Sequence, residues 1–417
     1  MKKSQFFKKN TILLYVFMLC CVIIFASCNT GHVTEHVHEY GEYIITVSPT
    51  CTDEGEKQCS CSCGDVKTEK IPPEHSFTDE NFCSLCYEMK QGTYTEGLEY
   101  QLRSSSMMDA YIVFDVGSAI EETEIVIPSY YQGKPVLAIE PGAFLNCTKM
   151  KSIVIPRTVV VIGKGAFSGC SSIETITMPT IGAPTTNDLD VTVGGVTFGS
   201  SVFGTVGAYF GQEPYKGGVL SQAFVYNVEK QNAGFGTRYQ YYKPETLKTI
   251  ILTGSSMGMR LECTAFDGLN LENLIIKESV GNYHLPIIDY FAPVFDAENV
   301  VIEENSPITA IGAHWLKRAK KVTLSKNVEI LRENCFGVGL EEVVLPEALN
   351  TIGYRAFANC INLKEITLPA KLKSIGEEAF LGCENLKTIH NKSRLSITKG
   401  SKENGYVAYY ASTITNN

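Results

Sequence analysis

The sequence predicts a β-rich repeat solenoid preceded by a small cysteine-rich module. Three observations predict this architecture: an apolar motif that recurs about every 23 residues, isoleucines that alternate within the motif, and a group of cysteines and histidines ahead of it. Hydrophobic residues make up 44% of the 417 and charged residues 19%, so most of the chain can bury a core.

The repeat follows the pattern L-x-x-I-x-I-P-x-x-[VL]-x-x-I-G-x-x-A-F-x-x-C. The segment I-x-I predicts a short strand, which ends where proline cannot donate a backbone hydrogen bond. Ile-Gly predicts a tight turn, and Ala-Phe supplies one small and one large apolar group for the interior. Because no unit can bury its apolar side alone, neighbouring units must stack. The copies begin at Met150, Ile173, Leu247, Leu271, Ala297, Ala319, Leu340, Leu363 and Leu386.

Two features of the repeats need separate interpretation. The copies at Ala297 and Ala319 depart most from the pattern, because Trp315 stands where Phe is usual and Ser325 where Pro is usual.

The cysteine that ends the unit could indicate redox chemistry or metal binding. We interpret it instead as a stack of small buried thiols, which suits how free cysteine packs. These cysteines are Cys147, Cys170, Cys360 and Cys383.

The 23-residue unit, with its I-P, I-G, A-F and N-C or G-C pairs, resembles the repeat of the BspA-like leucine-rich-repeat surface antigens of bacteria. The segments 97–102, 127–129 and 133–136 resemble the lead-in strands of that family, and 405–410 resembles its C-terminal cap. The resemblance covers about residues 93–417. It implies a leucine-rich-repeat solenoid at the cell surface that adheres to host proteins or other cells and carries no catalytic residues.

The first 27 residues have the features of a secretory leader. Four lysines precede an uncharged, mostly apolar run from Thr11 to Ser27. The run ends on Phe25-Ala26-Ser27-Cys28, which resembles the bacterial lipobox, in which the cysteine is acylated and becomes the mature N-terminus. Cys28 is therefore the predicted lipidation site, and an uncleaved membrane anchor is the alternative. Both interpretations place the remaining chain outside the cytoplasm, and the first places it on the cell surface, anchored to the membrane by lipid.

Residues 31–90 contain six of the fifteen cysteines and four of the seven histidines. Cys83 and Cys86 have the spacing of a metal knuckle, and Cys61 and Cys63 precede them. These four cysteines are the predicted ligands of a structural zinc ion. The further candidates are Cys51, Cys59, His32, His36 and His38. Disulfides are the main alternative, because six is an even number and the compartment is exported, and free thiols are the third. None of the three implies catalysis.

The regular spacing breaks between Ile173 and Leu247, where residues 181–246 are rich in glycine and aromatic residues. One interpretation is a projecting binding element, and the other is degenerate coils with an inserted hairpin. The first would expose Tyr209, Phe210, Tyr239, Tyr241 and Tyr242.

The chain therefore divides into seven segments. They are a signal peptide (1–27), a linker (28–35), a Cys/His-rich module (36–90), the N-terminal cap with the first repeats (91–180), the insertion (181–246), further repeats (247–390) and a C-terminal cap (391–417).

Strand alternation predicts a ligand-binding face, because residues between the inward isoleucines face outward. A simple strand preference of β-branched residues is the alternative. One predicted outward row is Val154, Thr177, Ile251, Ile275, Val301, Thr323, Val344 and Thr367. A second is Ser152, Thr175, Thr249, Asn273, Asn299, Lys321, Glu342 and Glu365.

These features predict a non-catalytic binding protein. The sequence contains no H-E-x-x-H, P-loop or dinucleotide glycine motif. The formal net charge is −9, and removal of the four leader lysines makes it −13, which argues against nucleic acid as a partner. We expect host or bacterial surface and matrix proteins as partners, and no cofactor beyond the structural zinc. The alternatives are an enzyme whose site lies in 181–246 and a structural spacer in a surface layer.

Overall fold

The computed structural model describes residues 37–51, 53–78, 81, 83, 89–104, 108–179, 191–193, 196–198, 206–226, 236–255, 265–280 and 295–416. The chain divides into two compact units, Met1–His75 and Ser76–Asn417. The predicted leader, the linker and Cys28 lie outside the described residues, so the lipidation of Cys28 stays a prediction. In the part that is described, no helix is long and apolar enough to cross a membrane.

The first unit is a three-stranded antiparallel sheet, in the order β1-β2-β3, with a tight turn between the second and third strands. Among its described residues, burial is confined to Gly55, Cys59 and Cys61. All four residues of the first strand are exposed. The three strands are β1 (Ile44–Val47), β2 (Gly55–Ser60) and β3 (Val66–Ile71).

The second unit is a β-solenoid with three short 3-10 segments, Gly117–Glu121, Val206–Phe210 and Asn404–Tyr406. Its strands, in chain order, are β4 (Glu99–Ser104), β5 (Asp109–Asp115), β6 (Glu124–Val126), β7 (Tyr130–Tyr131), β8 (Lys134–Ile139), β9 (Ser152–Val154), β10 (Val161–Ile162), β11 (Thr175–Pro179), β12 (Val191–Val193), β13 (Val196–Phe198), β14 (Gly218–Tyr226), β15 (Gly236–Pro244), β16 (Thr249–Thr253), β17 (Leu271–Ile276), β18 (Ala297–Ile302), β19 (Ala310–Ile311), β20 (Lys321–Thr323), β21 (Ile330–Leu331), β22 (Glu342–Val344), β23 (Thr351–Ile352), β24 (Glu365–Leu368), β25 (Ser374–Ile375), β26 (Thr388–Asn391) and β27 (Thr413–Asn416).

The I-x-I segments of successive units form an eight-stranded parallel sheet, in the order β22-β20-β18-β17-β16-β11-β9-β6. The first isoleucine of each motif faces inward, which confirms the predicted alternation. These inward residues are in register from strand to strand and all are buried. They are Ile153, Ile176, Ile250, Leu274, Val300, Val322 and Val343.

The I-G segments form a second parallel sheet, β19-β21-β23-β25. Its glycines serve a different purpose from the predicted one, since neither Gly353 nor Gly376 has a positive φ. A Cβ on Gly353 would lie 2.8 Å from the backbone carbon of Arg332, and a Cβ on Gly376 would lie 2.7 Å from that of Gly353. Glycine is required here because the backbones of neighbouring coils approach closely, rather than because the chain turns.

The A-F pair forms the buried corner of each coil, and a left-handed residue precedes it. The backbone N–H of a corner phenylalanine donates to the carbonyl of the residue at the alanine position of the next coil, as Phe357 does to Ala379 at 2.8 Å. The residue before the alanine has a positive φ even where it is not glycine, as at Arg355 and Glu378. The residue before the final cysteine is also left-handed. Only Gly and Asn reach this conformation readily, which explains the recurring G-C and N-C pairs.

The same register corrects the assignment of Trp315. The N–H of Phe295 donates to the Trp315 carbonyl at 2.8 Å, and His314 before it has a φ of 67°. Trp315 therefore occupies the alanine position and Leu316 the phenylalanine position. The larger ring fits because Gly312 has no side chain, since a Cβ there would lie 2.3 Å from Trp315 Nε1.

Ser325 does replace the proline of the motif, and its side chain explains why this is tolerated. The residue is buried, and its hydroxyl donates to the carbonyls of Glu304 at 2.9 Å and Ser306 at 2.7 Å. Both carbonyls belong to the preceding coil. The hydroxyl thereby satisfies buried polar groups between the coils.

The cysteines that end the units are buried thiols, which confirms the structural interpretation. Cys170 donates its S–H to the carbonyl of Phe144 at 2.9 Å, and Cys383 donates to that of Phe357 at 3.0 Å. Both acceptors lie one coil back. All of Cys147, Cys170, Cys360 and Cys383 are buried free cysteines.

The insertion supplies core as well as a hairpin, as the interpretation of degenerate coils with an inserted hairpin expects, and the alternative of a projecting element with exposed aromatics is wrong for three residues. Tyr209, Phe210 and Tyr241 are buried. The N–H of Phe167 donates to the Tyr209 carbonyl at 2.8 Å, so the 3-10 segment takes the corner position of the coil that starts with β11. Strands β14 and β15 then form an antiparallel hairpin before β16 resumes the solenoid. Tyr242 is half-buried, and the side chain of Tyr239 lies outside the described residues.

Candidate binding face and cysteine cluster

The eight-stranded sheet carries one continuous row of outward β-branched side chains. Strand register places Thr177 beside both Val154 and Ile251. Val154 is 37% exposed and Val344 is 69% exposed, whereas the residues at the centre of the row are half-buried. Consecutive members of the row are strand partners, in the order Val154, Thr177, Ile251, Ile275, Val301, Thr323 and Val344.

Thr367, the last member of the predicted row, lies on a different sheet. Its strand β24 pairs with β26, and Thr367 is the register partner of His390. The side chain is half-buried. The described apolar row therefore ends at Val344.

A parallel row of polar side chains lies two residues before the apolar row on each strand. The side-chain amide of Asn299 donates to Oδ1 of Asn273 at 3.1 Å, and that of Asn273 donates to Oγ1 of Thr249 at 3.3 Å. At Lys321 the row changes from uncharged to charged side chains, and Lys321 Nζ lies 3.9 Å from the Glu342 carboxylate. These hydrogen bonds hold the amides in fixed positions across three strands.

An ion pair lies on the other side of the apolar row. Lys277 Nζ is 2.6 Å from Glu303 Oε1, and the N–H of Glu278 donates to the other oxygen at 2.9 Å. Partial burial alone would raise the pKa of the Glu303 carboxyl, but these two donors outweigh burial and lower it. The face thus combines an apolar strip with polar groups on both sides, a composition that suits a protein ligand.

The predicted zinc ligands do not all belong to one unit. Cys61 and Cys63 lie together in the first unit, at the turn between β2 and β3. Cys83 is buried in the second unit, and Cys86 lies outside the described residues. The four-cysteine site stays a prediction. Of the further candidates, His38 lies at this turn, with its Nδ1 3.2 Å from Cys63 Sγ.

A cavity of about 590 Å³ on the C-terminal coils was missed by sequence reasoning. Its polar lining includes Glu329, Asn350, Lys373, Lys371 and Arg394. No motif joins these residues, because they come from successive coils. The sequence signal that could have found them is their corresponding place in successive repeats. In the structure the N–H of Lys373 donates to the Asn350 carbonyl of the preceding coil at 2.9 Å.

These parallel sheets, buried corners and in-register coils define a leucine-rich-repeat solenoid. A family model described as the BspA type leucine-rich repeat region matches residues 123–185 and 309–404, in six copies. The repeats in these two segments are therefore of the BspA leucine-rich type. In-register strands continue the solenoid between the two matched segments.

Three solved structures of bacterial proteins are similar to the chain. A leucine-rich repeat protein from Bacteroides ovatus is 17% identical, with a TM-score of 0.29 and coverage of 78% of this chain and 76% of that one. A leucine-rich cell surface protein from Faecalibacterium prausnitzii is 14% identical, with a TM-score of 0.19 and coverage of 79% and 95%. The pneumococcal vaccine antigen PcpA is 14% identical, with a TM-score of 0.19 and coverage of 78% and 98%.

The likeness to the BspA-type repeat depends on the two matched segments and not on these structures. No curated protein matches the chain.

Proposed function

We propose that the chain is a surface-anchored, non-catalytic adhesion protein that binds a protein partner on the exposed face of the eight-stranded sheet. The observation that carries this proposal is the in-register row from Val154 to Val344, which presents β-branched side chains outward across seven strands. Parallel strands lie about 4.8 Å apart, so the row extends over roughly 29 Å. That length suits an extended contact with another protein.

The chemistry beside the row supports a protein ligand over other classes. The amides of Asn273 and Asn299 can hydrogen-bond to a partner's polar groups, while the apolar row excludes water from the contact. The acidic balance of the whole chain disfavours nucleic acid, whose phosphates require a positive surface. Repeat solenoids commonly bind through such extended faces.

A catalytic role for the insertion has little support among its described residues. Phe210 and Tyr241 fill the core, and Tyr241 donates its hydroxyl to the Asp267 carbonyl at 2.6 Å. These side chains complete the coil on which the face is built. The repeat family is typically non-catalytic, and this supports the same conclusion.

Surface anchoring follows from the leader and the lipobox-like end at Cys28, which supply a route out of the cytoplasm and an acylation site. Stable anchoring needs more than one acyl chain, which a diacylated N-terminal cysteine would provide. We place the repeats outside the cell on these grounds.

The test begins with the chain lacking its leader, immobilised and screened against matrix and serum proteins. The partner found is then measured against a variant with Ile251→Lys, Ile275→Lys and Val301→Lys. We expect at least a roughly 30-fold weaker Kd, on the order of what loss of a central contact costs. The control carries Leu145→Lys, Val338→Lys and Ile361→Lys, three exposed apolar residues away from the sheet.

Unchanged binding by the first variant would reject the face as the binding site. Equal weakening by both variants would also reject it, because the effect would then be one of net charge. Failure to find any partner, together with normal surface display, would favour the structural spacer instead.

A further inference from the structure

The described residues of the first unit bury too little surface to hold its sheet together by packing. Within residues 37–75 the described buried residues are Gly55, Cys59 and Cys61, and β1 is exposed along its whole length. Small domains with so little core are generally held by disulfides or a metal ion. The unit therefore needs a cross-link between its N-terminal segment and the β2–β3 hairpin.

The turn after β2 brings two cysteines to one place. The N–H of Cys61 donates to the Asp65 carbonyl at 2.8 Å, and that of Gly64 donates to the Cys61 carbonyl at 2.9 Å. Gly64 has a φ of 89°, which lets the chain reverse within these few residues. Cys61 is buried at the base of the turn and Cys63 is exposed near its tip.

A histidine from the N-terminal segment reaches the same place. Tyr40 forms an antiparallel bridge with Cys61, which positions the segment just before β1 against the turn. His38 Nδ1 lies 3.2 Å from Cys63 Sγ, and the ligand atoms of His38, Cys61 and Cys63 all lie within 4.8 Å of one another. In a tetrahedral zinc site, Zn–S and Zn–N bonds of about 2.3 and 2.1 Å hold such atoms roughly 3.6 Å apart.

We propose that His38, Cys61 and Cys63 bind one zinc ion, with the Asp65 carboxylate beside His38 at the edge of the site. Asp65 Oδ2 lies 3.7 Å from His38 Nδ1, and the Tyr40 hydroxyl donates to the same oxygen at 2.6 Å. Two thiolates and an imidazole select zinc over magnesium or calcium, which prefer oxygen ligands. The ion would join the N-terminal segment to the hairpin. This ligand set lies wholly within the first unit and does not require Cys83 or Cys86.

The site is tested on the full chain, purified without chelator, by elemental analysis and then by exchange of the bound metal for Co²⁺. We expect one zinc per chain. The cobalt form should show thiolate-to-cobalt charge transfer and the intense visible bands of a tetrahedral site. Because Cys63 is exposed, Cys63→Ser should leave the solenoid folded, remove about half of the charge-transfer intensity and weaken zinc binding at least about 100-fold.

Three further variants distinguish this ligand set from the four-cysteine set and from a disulfide. His38→Ala should weaken zinc binding as Cys63→Ser does. Ser62→Ala changes an exposed residue between the two cysteines and should bind zinc normally. Cys86→Ser should also bind normally, whereas it would lose the ion if the predicted four-cysteine set were correct. Loss of zinc in Cys86→Ser with retention in His38→Ala would overturn the proposal. Isolation of a chain that contains no zinc and has Cys61 and Cys63 in disulfides would also overturn it.

Discussion

The rings of Phe357 and Phe380 stack with their centroids 4.7 Å apart and an angle of 5° between their planes, although 23 positions separate them in the chain. Phe336 continues the stack at 4.5 Å from Phe357. Each ring therefore touches the equivalent ring of the adjacent coil. The energetic coupling runs between neighbouring repeats, as expected for a solenoid.

Truncation of the central ring should destabilise the C-terminal coils. Phe357 is fully buried, and Phe→Ala in a core costs about 3–5 kcal/mol through lost burial and the cavity left behind. Chemical denaturation of Phe357→Ala checks this value. Ile361→Ala is the control, because Ile361 is 45% exposed and its loss should have little effect. Equal stability of the two variants would show that the corner assignment is wrong.

The glycine of the I-G pair should resist even a methyl group. In Gly353→Ala the new Cβ would lie 2.8 to 2.9 Å from backbone atoms of residues 331–333, which cannot move aside. We expect a loss of about 1–3 kcal/mol in unfolding free energy. A Cβ on Gly339 would have no neighbouring atom closer than 3.9 Å, so Gly339→Ala should be neutral or stabilising by about 0.4–1 kcal/mol. Thermal unfolding of the two variants tests this difference. Similar losses of stability at both sites would contradict the close approach of neighbouring coils at Gly353.

The two sides of the sheet should respond oppositely to lysine. The variant Ile251→Lys, Ile275→Lys and Val301→Lys should retain the native circular dichroism spectrum, because these side chains point outward. The adjacent variant Ile250→Lys, Leu274→Lys and Val300→Lys should not fold, since it buries three unpaired charges. Unfolding of the outward variant would mean that the row is covered and cannot serve as a binding face.

Lipidation of Cys28 is predicted from the leader and can be measured directly. Mass spectrometry of the mature N-terminus should show cleavage before Cys28 and the added mass of acyl chains. Cys28→Ser should abolish the modification and release the chain from the membrane fraction. Cys21→Ser, within the apolar run, should leave both unchanged. A mature N-terminus with an unmodified Cys28 would contradict the prediction.

The period, the strand positions and the alternation of faces could be predicted from the sequence, because each coil repeats one local pattern. Ile153 and Ile176 face inward and Val154 and Thr177 face outward simply because strand side chains alternate. The same local logic identified the buried thiols such as Cys170.

What only the tertiary structure decided is how residues from different coils meet. The alanine position of Trp315 depends on a hydrogen bond from Phe295 of the adjacent coil, and the space for its ring depends on Gly312. The burial of Tyr209 depends on its pairing with Phe167 across the insertion. His38 likewise joins Cys63 only through the pairing of Tyr40 with Cys61. These contacts are set by backbone register between segments distant in the chain, which a periodic local pattern does not specify.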